Sequence, residues 1–537
     1  MSEVSPAGAA PEKNGFSRVP VMSCAEAKAF EKAFFSRAEM TEEAAMRAAG
    51  TAVGAGVLRE CAGADFSRLA VLAGKGHNGG DAVRAATRIF SERKCRVLLA
   101  FFAAENAGGL APLTRKFLEE FLAAVPADMR RVVFLPESAA ALPPEVPAFV
   151  AAPHVLLDGV FGHSFRPPFP PRALAFLREI LAARAENSPC CSVDLPSGLS
   201  DAGAECCPLR ADFTFPTGIL KRPLLDFPEA AGRVVPANIG FSGFDETSVA
   251  AANPEDFLRD IFAPRPALCD KRAFGHALIV GGSRGMPGAL MLNALAALRA
   301  GTGLVSVICP ESVQPAFAAR APGAMWIPCR EDADGGLDCG AAFSAAERMF
   351  PRVSVVLCGS GMGVSAGARE LILKIAAAAP REIPLVLDAD ALRPETLAAL
   401  RERGAPAGKT VLLPHAGEFA RMGARGADAL GFCREHALSI ALKGACTRAA
   451  DPSGEILSFR GCPALARGGS GDVLAGTVAA LFAAERNFRT GAPARERIAA
   501  AVAWHGIASR LWAKAQGERC ADIAALPEFF GAARSLA

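Results

Sequence analysis

Tyrosine does not occur among the 537 residues, although phenylalanine occurs 34 times. That absence removes the phenol from the list of catalytic acids. Net charge is nearly absent as well: 58 Lys and Arg against 55 Asp and Glu leave a formal +3. Such a balance makes no case for nucleic acid or an anionic membrane as the main partner. No apolar run reaches the length of a membrane span. The opening MSEVSPAGAAPEKNGFSRVP has no basic stretch followed by an apolar core, so the expectation is a cytoplasmic protein. The 16 cysteines contain no C-x-x-C, and Cys190–Cys191 and Cys206–Cys207 are adjacent pairs, so zinc-ligand spacing is missing. They read as small, reduced, apolar residues.

What is present is apolar material for more than one core. Apolar residues make up 51% and charged residues 21%, and single cores rarely grow beyond roughly 250–300 residues. Residues 1–19 read as a disordered tail. From Ser23 to Val57 the Ala, Met and Phe spacing predicts two helices, with Gly50 and Gly54 near the close of the second. Short unbroken apolar runs then alternate with helical stretches: Leu69–Ala73, Arg96–Phe101, Val132–Leu135, Val155–Leu157 and Cys191–Val193. Runs of this kind suit strands buried on both faces of a parallel sheet. After a polar, proline-bearing seam the rhythm restarts with Ala277–Val280, Leu304–Ile308, Val353–Leu357, Pro384–Leu387, Thr410–Leu413 and Leu438–Leu442. The expectation is two α/β domains, 20–245 and 246–537.

The turns after these strands carry the chemistry. Near the end, Ala466 to Gly476 reads A-R-G-G-S-G-D-V-L-A-G, and an apolar helical segment, Val473 to Ala484, follows. Glycine lets backbone approach a ligand closely, and a helix beginning there aims its free N–H groups at an anion. Asp472 would stand beside that anion as a base for a hydroxyl; the plainer alternative is a helix cap. In the first half, Leu69–Ala73 runs into G-K-G-H-N-G-G-D (Gly74 to Asp81), a phosphate-turn context without the G-x-G-x-x-G fingerprint. Asp158-Gly159-Val160-Phe161-Gly162 and Asp194-Leu195-Pro196-Ser197-Gly198 end two further strands. Either Asn78, Asp158, Asp194 and Ser197 converge, or these are three unrelated turns using Asp and Gly for geometry.

These three motifs, in this order, resemble the amino-terminal domain of the NAD(P)H-hydrate repair proteins, over roughly Ser23 to Gly240. The resemblance implies a Rossmann-like doubly wound fold that epimerises R and S hydrates. It implies potassium ligands at Asn78, Asp158 and Ser197, and a catalytic Asp194. Hydrate contacts would come from His77, Asn78, Gly79, Gly80 and Asp81, from Gly162, His163, Ser164, Phe165, Arg166, Pro167 and Pro168, and from Asp194. His77 and Ala82 depart from the asparagine and glycine usual there.

A second set, from Lys271 to Leu526, resembles the carboxy-terminal domain of the same proteins, a ribokinase-like α/β dehydratase. It comprises G-G-S-R-G-M-P-G-A, C-G-S-G-M-G, L-D-A-D-A-L, P-H-A-G-E-F, K-G-A-C-T and the turn at Asp472, with A-W-H-G-I-A further on. The implied chemistry is phosphorylation of the C6 hydroxyl of the hydrated nicotinamide ring, then loss of phosphate. Asp472 would be the base, and Gly469 and Gly471 the anion hole. Ala289, Gly361 and His415 would join Asp472 in contacting the hydrate, and Lys443, Gly444, Ala445, Cys446 and Thr447 would join Gly471 in holding the nucleotide. Asp388 and Asp390 would support magnesium. Cys462 and Arg467 depart from the small or amide residues usual there. The reading is thus a fused epimerase and dehydratase that takes NAD(P)H hydrates and ADP (or ATP), assembled as a homo-oligomer. The alternative is a ribokinase-like vitamin kinase with a non-catalytic amino-terminal binding domain.

Overall fold

The computed structural model describes residues 19–37, 40–204, 206–243, 250–251, 268–424, 426, 428–458, 461–484, 492–519 and 521–535. The expected tail lies outside these residues except for Val19, which opens a strand, Val19–Met22, and so corrects the expectation there. Two compact units emerge: Val19–Ala251 with Gly444–Thr447, and the remaining described residues.

The first unit is built on seven parallel strands: Arg68–Ala73, Arg96–Phe102, Arg130–Leu135, Val155–Gly159, Cys190–Val193, Phe213–Phe215 and Arg233–Val234. Counted along the chain, they lie side by side as 3-2-1-4-5-6-7. Leu69, Val71 and Ala73 face one apolar layer, with helices Glu42–Glu60, His77–Arg93 and Pro112–Ala124. Ala70 and Leu72 face the other, with Pro171–Ala183. Helices on both faces make the sheet doubly wound and leave a crevice where strands one and four part company.

The two expected amino-terminal helices are Cys24–Ser36 and Glu42–Glu60. The second outruns the expected close at Gly50 and Gly54. Those glycines lie inside it because they let two helices meet: a Cβ on Gly50 would sit 2.7 Å from the Asp81 carbonyl oxygen, and one on Gly54 2.9 Å from that of Ala85.

The second unit repeats the plan. Its strands are His276–Val280, Leu304–Pro310, Met325–Cys329, Val355–Cys358, Leu385–Leu387, Thr410–Leu412, Ser439–Leu442, Thr447–Asp451 and Gly454–Ser458. They lie as 3-2-1-4-5-6-7-8-9, the first seven parallel and the eighth turning back antiparallel. One face packs on helices Pro287–Arg299, Ser470–Ala483 and Ala494–Gln516, the other on Cys339–Met349, Ala366–Ala378 and Pro394–Arg403. Among the described residues, no helix is long and apolar enough to cross a membrane.

Candidate active sites

In the first unit, strand Arg68–Ala73 passes through a glycine turn into helix His77–Arg93, capped by Gly76. Glycine is required there. A Cβ on Gly74 would lie 2.0 Å from the Val160 carbonyl oxygen, and one on Gly79 1.9 Å from that of Gly74. Thr114 Oγ1 donates to the Gly76 carbonyl at 2.9 Å and pins the turn. Asn78, Gly79, Gly80 and Asp81 therefore form the first helical turn. Ala82 is ordinary helix, and its Cβ fills the space left by Gly159, where an added Cβ would come within 2.4 Å. His77 is half exposed, 3.6 Å from Glu42.

Asp158 is fully buried. Its Oδ1 accepts from the Ser197 hydroxyl at 2.5 Å, and its Oδ2 from the Ser197 amide at 2.9 Å and the Ser192 hydroxyl at 3.0 Å. Burial still pushes its carboxyl up, against the pull of Ser197. Asn78 reaches the crevice from the helix: its Oδ1 lies 3.0 Å from where a Gly162 Cβ would be, and its buried Nδ2 has no partner. An amide oxygen, a carboxylate and a hydroxyl are the donor chemistry of a hard cation, so these residues fit a potassium ion.

Asp194 sits next to Asn78 across Gly162, whose Cβ would lie 2.9 Å from Asp194 Oδ2. The aspartate holds a left-handed backbone, φ 67°, at the strand end. Both its oxygens are occupied. Oδ2 accepts from the His163 amide and from His163 Nδ1, each at 3.0 Å. Oδ1 accepts from the Thr217 hydroxyl at 3.3 Å and pairs with the ammonium of Lys221, a fully buried lysine. Burial works against the charge, yet Lys221 and His163 outweigh it and hold Asp194 well below the usual carboxylate range. Burial opposes protonation of His163 too, but Asp194 and Glu31, 3.4 Å from Nε2, carry it up to about 9. Asp81 shows the reverse: buried, with Oδ1 unpartnered, it is pushed up by desolvation and by the charge of Asp194.

The loop Gly162 to Pro168 is divided. Ser164, Arg166, Pro167 and Pro168 are exposed, whereas Phe165 turns inward onto Phe161 and Phe169, with ring centroids 5.1 and 5.7 Å away. Its side chain is core, because three phenylalanines close the space beneath the loop. Lys221, Thr217 and Glu31 escaped the sequence reading. Only Lys221 carried a signal, a lysine between apolar Leu220 and a proline-bearing turn.

In the second unit, helix Ser470–Ala483 begins after Gly469, whose φ of 91° needs glycine. The free amides of its first turn flank Asp472. Asn293 Nδ2 donates to the Asp472 carbonyl at 2.8 Å and fixes that turn on helix Pro287–Arg299. Lys443 Nζ lies 2.7 Å from Asp388 Oδ1 and 3.3 Å from where a Gly471 Cβ would be. An ammonium thus stands at a helix N-terminus beside two aspartates. Burial, then the charge of Asp388, raises the Asp472 carboxyl to about 6, with Lys443 pulling the other way. Asp390 accepts from the Gly363 amide at 2.8 Å. Gly361, φ 65°, sets its backbone against Ala289: a Cβ would fall 3.3 Å from that of Ala289.

His415 caps helix Ala416–Arg421, its Nδ1 accepting from the Gly417 amide at 3.0 Å while Glu418 returns a bond to the His415 amide at 2.9 Å. A backbone bond of 2.7 Å from the Lys443 amide to the Pro414 carbonyl places His415 beside Lys443. Gly444 and Ala445 are exposed at the tip of the following hairpin, and the Thr447 hydroxyl closes it on Gly444 at 3.2 Å. Arg467 points away from the anion turn, spanning the carbonyls of Ala464, Glu518 and Ala521 and stacking on Trp512. Cys462 packs against the apolar core. His505, from the A-W-H-G-I-A motif, is buried, and desolvation lowers it to about 4 despite the nearby Ser470 carbonyl.

Two family models match this chain: one described as NAD(P)H-hydrate dehydratase over residues 277–526, the other as YjeF-related protein N-terminus over residues 42–223. A bifunctional NAD(P)H-hydrate repair enzyme of Gloeobacter violaceus is 33% identical over 520 residues, covering 92% of this chain and 94% of its own. One from Thermosynechococcus vestitus is 33% identical over 447 residues, covering 79% and 81%. A solved ribokinase-like superfamily protein of Enterococcus faecalis aligns with 55% of this chain and 99% of its own, at 23% identity and a TM-score of 0.46.

Proposed function

This chain belongs to the bifunctional NAD(P)H-hydrate repair enzymes, and from that premise we propose how its residues divide the work. The protein epimerises the R and S forms of hydrated NAD(P)H and dehydrates the S form in a nucleotide-dependent reaction. The reading of the second site is carried by one observation: a carboxyl raised to about 6 among free helix-start amides, with Lys443 alongside. Asp472 takes the proton of the C6 hydroxyl as that oxygen bonds to the terminal phosphorus of the donor nucleotide, whose bridging P–O bond breaks to release AMP from ADP or ADP from ATP. Lys443 and the amides from Ser470 onwards hold the phosphoryl charge. The C6–O bond then breaks with phosphate as leaving group, and a proton leaves C5 to restore the ring double bond. Magnesium, held through Asp388 and Asp390, supplies charge neutralisation on the nucleotide when bound. ADP is the proposed donor, with Ala289, Gly361 and His415 on the hydrate and Gly444 to Thr447 on the nucleotide.

At the first site the two aspartates are pushed in opposite directions, Asp194 down and Asp81 up, a pattern suited to paired acid and base roles. Asp194, held ionised, orients the hydroxyl-bearing carbon and stabilises positive charge building on the ring nitrogen. Asp81, pushed toward its protonated form by burial and by Asp194, is the group placed to give a proton to the departing hydroxyl and to recover it when water returns on the other face. Potassium, held by Asn78, Asp158 and Ser197, supplies fixed positive charge for the substrate when bound. A homo-oligomer in the cytoplasm completes the proposal, with sedimentation reading the assembly.

The deciding measurement follows recovery of dihydronicotinamide absorbance from mixed-epimer NADPH hydrate with magnesium, potassium and ADP or ATP. Full recovery is expected, with the slower phase lost in Asp194→Ala and all of it lost in Asp472→Ala. No recovery with either nucleotide sinks the reading in favour of a vitamin kinase. Recovery of one epimer alone leaves a dehydratase with a silent partner domain.

A further inference from the structure

The end of the first sheet opposite its glycine turns holds a concavity that neither site uses. Arg68 and Arg96 open adjacent parallel strands and are direct register partners. Arg93 and Lys94 close helix His77–Arg93 at the same edge. These four cations, with Phe66, Ser67, Cys95 and Met129, line a cavity of about 450 Å³. Strand one is six residues long, so about 20 Å of sheet separates this cavity from the crevice at Gly74.

Like charges set side by side on neighbouring strands repel, and among the described residues no carboxylate pairs with any of the four. Asp65 is the acid that feels Arg68, and its Oδ1 is taken by the Ser67 amide at 2.7 Å. Three of the cations are steadied by rings instead. Arg93 lies 5.2 Å from the Phe66 centroid, Lys94 5.0 Å from Phe90 and Arg68 5.3 Å from Phe149. Stacking orders a guanidinium without neutralising it, so less side-chain entropy is lost when an anion arrives. Arg96 is exposed, and among the described residues no side chain pairs with its guanidinium.

A cavity of this size accepts a small ligand, and four cations around it, three of them held against rings, call for an anion of several charges. We propose that this cavity is a separate anion site that takes a di- or triphosphate chain, free or carried by a nucleoside. Forked guanidiniums from Arg93 and Arg96 suit bidentate contact with successive phosphates, while Arg68, whose Nη1 donates to the Phe149 carbonyl at 3.3 Å, and Lys94 add charge beside them. Phe66 and Met129 offer an apolar wall for whatever the chain carries.

The test is calorimetric binding to the full chain at physiological ionic strength, with inorganic tripolyphosphate in one arm and ATP in the other. Lys443→Gln is the background, because it removes the phosphate charge of the second site. The proposal expects one equivalent of tripolyphosphate to remain bound in Lys443→Gln, and to weaken at least tenfold when Arg93→Gln and Arg96→Gln are added. Orthophosphate should bind far more weakly than tripolyphosphate. ATP binding as tightly as tripolyphosphate assigns the site to nucleotides, and much weaker ATP binding assigns it to free polyphosphate. Near-ultraviolet recovery of NADPH should be unchanged in Arg93→Gln/Arg96→Gln with Lys443 intact, which shows that the variant folds. The proposal is overturned if Lys443→Gln abolishes all binding, or if the two arginine changes leave the affinity untouched.

Discussion

The two units share a plan and differ in what they do to an aspartate. Each has a sheet whose first four strands lie as 3-2-1-4 and a glycine turn feeding a helix. In the first, a fully buried lysine and an imidazole lock Asp194 in its charged form. In the second, burial and a neighbouring carboxylate hold Asp472 near 6, while the nearby cation Lys443 is bonded to Asp388. Backbone topology sets where a carboxylate stands; the partner on its second oxygen sets whether it can take a proton. Only a group whose affinity for protons lies near the working pH makes an effective base.

The largest test of that contrast is Asp472→Asn. Loss of the base should cut nucleotide-dependent recovery of NADPH by roughly 10²–10⁴-fold, while epimer interconversion, followed by chromatography of the hydrates, stays intact. Loss of both activities would break the separation between the units. Lys221→Met strikes the other side. Removing one partner of a buried ion pair leaves an uncompensated charge and typically costs about 3–5 kcal/mol. Denaturant unfolding should show that loss, and Asp194→Asn added to Lys221→Met should recover much of it. If the double variant is no more stable than Lys221→Met alone, Lys221 is not there to balance Asp194.

Acid sharpens the contrast because the two aspartates respond with opposite sign. Asp194 has a depressed folded value, so its contribution to stability is present above the ordinary carboxylate range and lost as pH falls below it. Asp472 is raised from 3.8 to about 6, so the folded chain binds more protons over that interval, and its effect is to lower stability as pH climbs through it. Activity runs the other way for Asp472, since the base must be ionised: dehydration should fade below about pH 6. Asp388→Asn removes the like charge and should move that limb toward lower pH. A limb that stays put would assign it to another group.

Much of this was legible from residues. Strand runs such as Leu69–Ala73 and Ala277–Val280 are apolar throughout because both faces are covered, and the glycine turns follow from their contacts. What escaped were elements with weak patterns. Met325–Cys329 is an edge strand with exposed Met325 and an internal proline, Pro328, and strands of that kind lose the apolar run that marks a buried one. Thr447–Asp451 and Gly454–Ser458 extend the sheet beyond the last parallel strand, the first of them antiparallel to it, and neither carries an unbroken apolar run. The partners of Asp194 were invisible because His163, Thr217 and Lys221 come from separate stretches, and only the folded chain puts them on one carboxylate. The inward turn of the Phe165 ring was hidden for the same reason: loop position alone does not say which way a ring faces.

The smallest effect concerns a single methyl. Ala82 stands on helix His77–Arg93 against Gly159, and one Cβ fills a slot too small for two, since a second would come within 2.4 Å. Ala82→Gly empties the slot. Glycine inside a helix costs about 1 kcal/mol, and the lost burial adds up to about 0.8 kcal/mol, so the denaturation midpoint should fall modestly with potassium dependence unchanged. Gly159→Ala alone overfills the slot and should cost more, about 1–3 kcal/mol. Its φ is not left-handed, so alanine there is a matter of space. Combining the two moves the methyl from helix to strand and should regain part of the loss, held back by the Asn78 carbonyl oxygen 3.0 Å away. Additive losses in the double variant would mean that Ala82 and Gly159 do not share the slot, and that the departure at Ala82 acts through the helix start instead.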